Sequence, residues 1–308
     1  MFKNAPMGML VQMLTSLRRR ALFFVNRNAR RGAEKIGEAQ GLLEAAGFEL
    51  VEIPSYRPAD MTAIICDKAS TVDCVIMGGG DGTLNSALEG LVKTKLPLGI
   101  LPLGTANDLA KTLAISTSLS EACEHIVRGH LRRIDIGRVN EKYFFNEAGC
   151  GLSAKLARAL SKEQKGTFGV LAVGMSGLQI LSDMRPFRAE IRCNGDVLKV
   201  RTAHLMIGNG KNFGGWLKSH DAAIDDHKLD LYSLEIRHAW EVVKIIPGML
   251  QGRYVNSPGV RLIQAQEFEV RTSRPLRIDT DGELTTMTPA VFRVLPQAIA
   301  IFAHTPPE

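Results

Sequence analysis

Two glycine-rich segments carry the side chains best suited to chemistry. One is Val75-Ile76-Met77-Gly78-Gly79-Gly80-Asp81-Gly82-Thr83-Leu84-Asn85; the other is Pro102-Leu103-Gly104-Thr105-Ala106-Asn107-Asp108-Leu109-Ala110. Glycine lets the backbone adopt positive φ and lets a ligand approach the main chain closely. A helix N-terminus directly after such a loop offers free N–H groups and a positive dipole end to phosphate. Asp81 would repel a phosphate unless a cation stood between them, so the first loop predicts Mg²⁺ with a nucleoside triphosphate. It lacks the Lys-Ser/Thr ending of a Walker A loop, and Thr83 occupies the third glycine position of the dinucleotide pattern, which excludes both motifs. The bland alternative, a plain glycine turn, rarely needs this many glycines around one acid.

In the second loop Thr105 offers a hydroxyl, Asn107 an amide and Asp108 a carboxylate; one helix cap does not need all three. Asp135 lies in Arg133-Ile134-Asp135-Ile136-Gly137 with strand-like flanks, where the bland alternative is a solvated strand residue. Near the far end, Ile278-Asp279-Thr280-Asp281-Gly282-Glu283 reads as a strand running into a turn. Taken alone, this predicts an Asp-Gly hairpin with Glu283 exposed on the outgoing strand.

The elements that must position these residues follow from hydrophobic spacing. Strands are predicted at 21–26, 48–53, 72–77 and 98–101, with helices at 33–46, 59–68 and 84–92 between them. This β-α-β-α-β order with short links predicts a parallel, doubly wound sheet. In such sheets ligands bind beyond the carboxyl ends of the strands, where the turns at 26–32, Pro54-Ser55 and 78–83 all fall. Beyond about 140 the pattern changes. A strand at 143–148 and mixed or helical stretches at 151–161 and 166–183 precede alternating segments at 188–193, 197–207, 229–236, 260–272, 276–279 and 290–295, with a helix at 239–251. Many strands with few helices predict an antiparallel sandwich as a second domain. A last apolar strand at 298–302 could return to the first. The expected division is a leader over 1–20, an α/β domain over 21–140 rejoined by 297–306, and a sandwich over 141–296.

The net charge of +6 fits an enzyme that sits on anionic lipid or handles anionic ligands. The basic residues are spread out and no DNA or RNA motif is present, which speaks against nucleic acid. Five cysteines without a C-x-x-C predict buried free thiols in a reducing compartment. The histidines show no zinc spacing. Leu10, Met13, Leu14 and Leu17 fall at helical spacing before Arg18-Arg19-Arg20, the reverse of a secretory signal. That segment reads either as a poorly ordered leader or as a short helix on a membrane surface.

The two loops and the Asp281-Gly282-Glu283 triplet together resemble the diacylglycerol kinase catalytic family, in its bacterial lipid-kinase branch related to sphingosine kinases. Further matches are Val25-Asn26, Gly208-Asn209-Gly210, Gly214-Gly215 and Asp226-His227-Lys228-Leu229-Asp230, the last similar to the family's Asp-Gly-x-Leu-Asp. The resemblance runs from about residue 21 to the end. It implies an ATP-binding first domain, a β-sandwich second domain and an active site in the cleft between them. Gly78, Gly79, Gly80, Asp81, Gly82, Thr83, Thr105 and Asn107 would belong to the nucleotide site, with Ser55 near the place of a nucleotide-contacting threonine. Asp81, Asp108 and Asp135 would organise the catalytic Mg²⁺, and Glu283 corresponds to the general base. A structural Mg²⁺ would use Asp226 with the backbone carbonyls of Ala223 and Lys228; His227 stands there in place of the usual glycine.

The reading that results is an ATP- and Mg²⁺-dependent kinase of a lipid hydroxyl, cytoplasmic and peripheral at the inner face of the membrane. Its acceptor would be diacylglycerol-like, phosphatidylglycerol or sphingoid. The first 20 residues, the basic surface and the apolar stretch at 166–181 are the candidate membrane contacts. Two alternatives stand beside it: a kinase of a soluble substrate such as NAD, and a non-enzymatic lipid- or nucleotide-binding regulator. The oligomeric state is open, a homodimer included.

Overall fold

The computed structural model describes residues 19–25, 32–53, 56–151, 185–210, 212–213, 217–218, 223–236, 241 and 259–304. The expectations for the leader up to residue 18, the 26–32 turn up to residue 31, Ser55, the stretches at 152–183, Gly214-Gly215 and nearly all of the helix at 239–251 lie outside them, while Arg19 and Arg20, expected in the leader, begin the first strand. The chain divides into two compact units, one formed by 1–132 with 299–308 and one by 133–298.

In the first unit the strands are β1 (Arg19–Val25), β2 (Phe48–Ile53), β3 (Cys74–Gly79) and β4 (Leu98–Pro102). They pair in parallel in the order β2-β1-β3-β4, and Ile301 adds a parallel partner to Leu98 at the outer side of β4. Every residue of β3 and β4 is buried, as a parallel sheet covered on both faces requires. The helices are α1 (Gly32–Ala45), α2 (Met61–Lys68), α3 (Asp81–Thr94), α4 (Asp108–Thr112) and α5 (Leu119–Arg128). Packing of α2 on α3 is close: a Cβ on Gly90 would stand 3.1 Å from Ile65. This is the expected doubly wound α/β arrangement.

The second unit is a two-sheet sandwich. Its strands are β5 (Leu131–Val139, entering from the first unit), β6 (Lys142–Phe144), β7 (Glu147–Cys150), β8 (Phe187–Cys193), β9 (Asp196–Thr202), β10 (His204–Gly208), β11 (Asn212–Phe213), β12 (Leu217–Lys218), β13 (Leu229–Leu234), β14 (Val260–Ala265), β15 (Glu267–Thr272), β16 (Arg277–Thr280), β17 (Glu283–Met287) and β18 (Ala290–Phe302). One sheet runs β18-β15-β8-β9, with β5 on β18 and β6 on β5; the other runs β14-β13-β10-β7-β16-β17, and β11 pairs with β12 alone. Between them lies an apolar core that includes Ala189, Ile191, Phe268 and Phe292 from the first sheet and Leu205, Ile207, Leu231 and Ile278 from the second.

Three expected strands are each split in two. The strand read at 143–148 divides into β6 and β7, because Phe145 and Asn146 turn their backbone N–H groups to the Asp281 carboxylate at 2.8 and 2.9 Å. The strand read at 197–207 changes sheet at Ala203, whose N–H bonds to the Leu234 carbonyl at 2.8 Å. The strand read at 260–272 does the same at Gln266, whose carbonyl accepts from Val294 at 3.0 Å. Conversely, the runs at 290–295 and 298–302 are one strand, β18, with Gln297 at a φ of 48°.

Candidate active site

The first glycine loop is tighter than its sequence suggests. Strand β3 continues through Gly79, which pairs with Pro102, and α3 starts at Asp81 rather than at Leu84. Only Gly80 lies between them, in extended conformation (φ −102°, ψ −175°). The turn folds so closely that a Cβ on Gly79 would stand 2.6 Å from the Cβ of Thr83. No side chain caps α3, so its leading N–H groups and dipole face outward from the sheet edge.

The second loop touches the first backbone to backbone. A Cβ on Gly104 would lie 2.4 Å from the Cα of Gly80 and 2.6 Å from Oδ1 of Asn107. Asn107 sits in the left-handed region (φ 51°) and spends both ends of its amide on this loop: the Gly104 N–H donates to its Oδ1 at 3.0 Å, and its Nδ2 donates to the Gly104 carbonyl at 2.8 Å. It does not cap α4, so its geometry is that of a loop brace. The hydroxyl-bearing Thr105 is exposed. The Leu109 N–H donates to Oδ1 of Asp81 at 3.2 Å, which ties the N-terminus of α4 to that of α3. Asp108, the first residue of α4, keeps a side chain 13% exposed, with the Lys111 ammonium 3.5 Å away. Asp81 and Asp108 are therefore brought to one place by two helix starts, although 26 residues of sheet and helix separate the loops' acids in sequence.

Three residues outside the expected set belong to this neighbourhood. Gly104 is required by the close approach just described, so Gly104→Ala is expected to push the loops apart and lower the unfolding free energy by about 1–3 kcal/mol, the usual cost of overpacking; urea titration of the purified variant checks it. Asn85, one turn after Asp81 on α3, has a buried Oδ1 with no hydrogen-bond partner. An amide in a helix interior is a weak helix former, which is the sequence signal that could have singled it out. Tyr56, next to Ser55, packs edge-on against Phe24 with ring centroids 5.1 Å apart; its hydroxyl is buried without a partner, and burial raises its pKa.

In the second unit Asp135 is fully buried, which overturns its reading as a solvated strand residue. Its Oδ2 accepts the His227 N–H at 2.6 Å and its Oδ1 the Gln297 N–H at 2.8 Å. The Asn209 amide donates to the carbonyls of Asp135 (2.8 Å) and Phe145 (3.0 Å), leaving a buried Oδ1 unpartnered. From Phe145 the network reaches Asp281, whose carboxylate accepts the N–H groups of Phe145, Asn146 and Glu147 at 2.8, 2.9 and 3.1 Å. Asp281 and Gly282 both have positive φ (47° and 85°), the two-residue turn that Asp-Gly favours between antiparallel strands. Glu283 opens β17 opposite Thr280 and is exposed. Asp281 thus holds the hairpin that presents Glu283. Asp281→Ala is expected to lower unfolding free energy by on the order of 3 kcal/mol, the scale for losing charge-assisted bonds to three backbone donors; urea titration measures it.

The loop at 223–228 closes on Asp226, whose Oδ1 takes the Lys228 N–H at 3.0 Å and whose Oδ2 faces the Ala223 N–H at 3.4 Å. His227 holds a φ of 63°, the left-handed conformation that glycine adopts most freely. Among the described residues no three carboxylate, histidine or cysteine side chains gather as a ready-made cation site. Mg²⁺ commonly binds through one or two carboxylates together with substrate phosphates. Asp81 and Asp108 supply hard oxygen donors of that kind. Of the five thiols expected to be buried, Cys66 is exposed; burial pushes Cys74 and Cys150 up to about 12 and Cys123 to about 11.

A phosphate-type loop pair on a doubly wound sheet, followed by an antiparallel sandwich, defines a two-part kinase of the α/β class. Comparison with known proteins makes this specific. Residues 20–139 match the diacylglycerol kinase catalytic domain, and residues 147–303 match the YegS C-terminal NAD kinase β-sandwich-like domain. A diacylglycerol kinase of Bacillus subtilis is 30% identical over 254 residues, covering 81% of this chain and 84% of that one. Another, from Staphylococcus saprophyticus, is 28% identical over 264 residues, covering 84% and 87%. The crystal structure of a Bacillus anthracis protein proposed to be a diacylglycerol kinase superposes with a TM-score of 0.77 at 25% identity, covering 93% of this chain and 97% of that one. The chain belongs to the diacylglycerol kinase family, and with it to the lipid kinases. Among the described residues no helix is long and apolar enough to cross a membrane.

Proposed function

We propose that the protein transfers the γ-phosphate of ATP to a hydroxyl of a diacylglycerol-like membrane lipid in a Mg²⁺-dependent reaction. The observation that carries this reading is the junction of the two loops: Gly80 against Gly104, with Asp81 bonded to the start of α4. Backbone N–H groups at the uncapped start of α3 bind phosphate oxygens and stabilise charge on the transferring group. Asp81 and Asp108 would hold the cation, whereas Asp135, fully buried with both oxygens on backbone N–H groups, holds the loop that carries His227 in place of the metal role expected for it. Bound Mg²⁺ would neutralise charge between the β- and γ-phosphates. Glu283 takes the proton from the acceptor hydroxyl, whose own pKa lies far above neutrality. Thr105, exposed in the second loop, would contact the nucleotide. A second cation at Asp226, with the carbonyls of Ala223 and Lys228, would stiffen the loop whose His227 N–H anchors Asp135. Its place of work is the surface of an anionic membrane, on the cytoplasmic side.

The names of the relatives favour diacylglycerol over phosphatidylglycerol, monoacylglycerol, sphingoid bases or NAD as acceptor. Incubation with radiolabelled ATP, Mg²⁺ and a panel of these acceptors, followed by product separation, tests the choice. Labelled phosphatidic acid is the expected product. Label on NAD alone would replace the reading with a soluble-substrate kinase, and ATP binding with no labelled product would make the protein a regulator.

A further inference from the structure

The outer face of the sandwich sheet β15-β8-β9 carries a cluster of cations with too few acids. Alternation in β8 points Arg188, Glu190 and Arg192 outward while Phe187, Ala189, Ile191 and Cys193 are buried. In register, Arg188 stands opposite Arg201, and Glu190 lies between Lys199 and Arg271. Farther along the same face the charges are matched: Arg192 with Glu190, Arg271 with Glu269, and Arg293 with Glu267, at 2.6 to 2.9 Å. At the end near Arg188 they are not. Neither Arg188 nor Arg201 has an acidic partner among the described residues, and Lys199 shares Glu190 with Arg192 and Arg271. Together with Thr272 and Ser273 these residues line an open groove of about 460 Å³.

Like charges directly opposite on neighbouring strands destabilise a sheet. The molecule accepts that cost on a face where an acid at either position would remove it. A local rule broken without internal compensation is expected where a partner supplies the compensation. The face is a sheet surface rather than a deep pocket, so it fits a broad anionic partner and not a small ligand. We infer that this end of the β15-β8-β9 face, centred on Arg188, Lys199 and Arg201, docks the protein on an anionic phospholipid surface. The choice of a membrane over another polyanion rests on the lipid-kinase reading above.

The test uses the full chain and vesicles without ATP. Sedimentation with vesicles of phosphatidylglycerol and phosphatidylcholine, and with phosphatidylcholine alone, measures partitioning. The double variant Arg188→Gln, Arg201→Gln is compared with Lys68→Gln, Arg128→Gln, which removes the same charge from helices of the first unit. Each basic residue at an anionic surface contributes about fivefold, so the first variant should lose roughly 30-fold on the anionic vesicles, and the second much less. Relief of the Arg188–Arg201 repulsion should leave the urea midpoint unchanged or raised, which shows the variant is folded. Equal losses in both variants, or wild-type partitioning in the first, would overturn the inference. So would a wild-type protein that ignores anionic vesicles but is retained by a DNA duplex. Phosphorylation of diacylglycerol by the wild type in neutral detergent micelles reads the kinase reaction separately. Its failure with vesicle docking intact would remove the kinase reading and leave the docking face standing.

Discussion

Glu283→Gln is expected to keep the fold and the affinity for ATP while losing at least about 10²-fold in turnover, the usual size of a general-base contribution. Glutamine has nearly the shape of glutamate but cannot take a proton from a hydroxyl. Glu283 is exposed at the mouth of a hairpin whose turn is pinned by Asp281, so its replacement costs little in packing. Measured together, ATP affinity, unfolding midpoint and lipid phosphorylation separate its role from that of Asp281. Loss of turnover with the midpoint unchanged marks a group that touches the reacting atoms. The pattern expected for Asp281→Ala is the reverse in emphasis, a lowered midpoint first and weakened turnover as its consequence. Near-normal turnover in Glu283→Gln would leave the base unassigned.

For Asp81→Asn a drop of about a hundredfold or more is expected, in the range of electrostatic contributions to catalysis. The amide can still accept the Leu109 N–H through its oxygen, so the junction between α3 and α4 should survive and the protein should fold. What disappears is the negative charge that a cation needs. Titration of activity with Mg²⁺ distinguishes the causes. A higher Mg²⁺ requirement with partial recovery at saturation indicates a lost ligand, whereas an unchanged Mg²⁺ profile and wild-type activity would refute the assignment of this loop to metal and phosphate.

The amino-acid sequence by itself determined strands β1 to β4, their parallel pairing, the helices α1 to α3 and the places of both loops, while α5 was not read from it. These are recorded over short spans: four glycines around one acid, apolar runs of strand length, helical spacing between them. The sequence also held a trace of the sandwich corners. Inward residues in β9 and β10 run 200, then 205 and 207, and in β14 and β15 run 263 and 265, then 268 and 270. The alternation slips by one residue at each corner, a phase change that a continuous apolar-polar pattern hides, because both sheets turn their apolar sides to the same core. Other features had no local trace. The Gly80–Gly104 contact joins two loops across a helix and a strand. Whether Asp135 is solvated could not be read from its ordinary strand neighbours; it is buried, and N–H groups from 92 and 162 residues away satisfy it. Asp281 read as a turn former alone, yet its carboxylate also holds backbone donors some 135 residues earlier. Spacing along a chain reports which neighbours share a face, whereas the satisfaction of a buried charge depends on which distant backbone groups the fold delivers to it, and only the tertiary structure decides that.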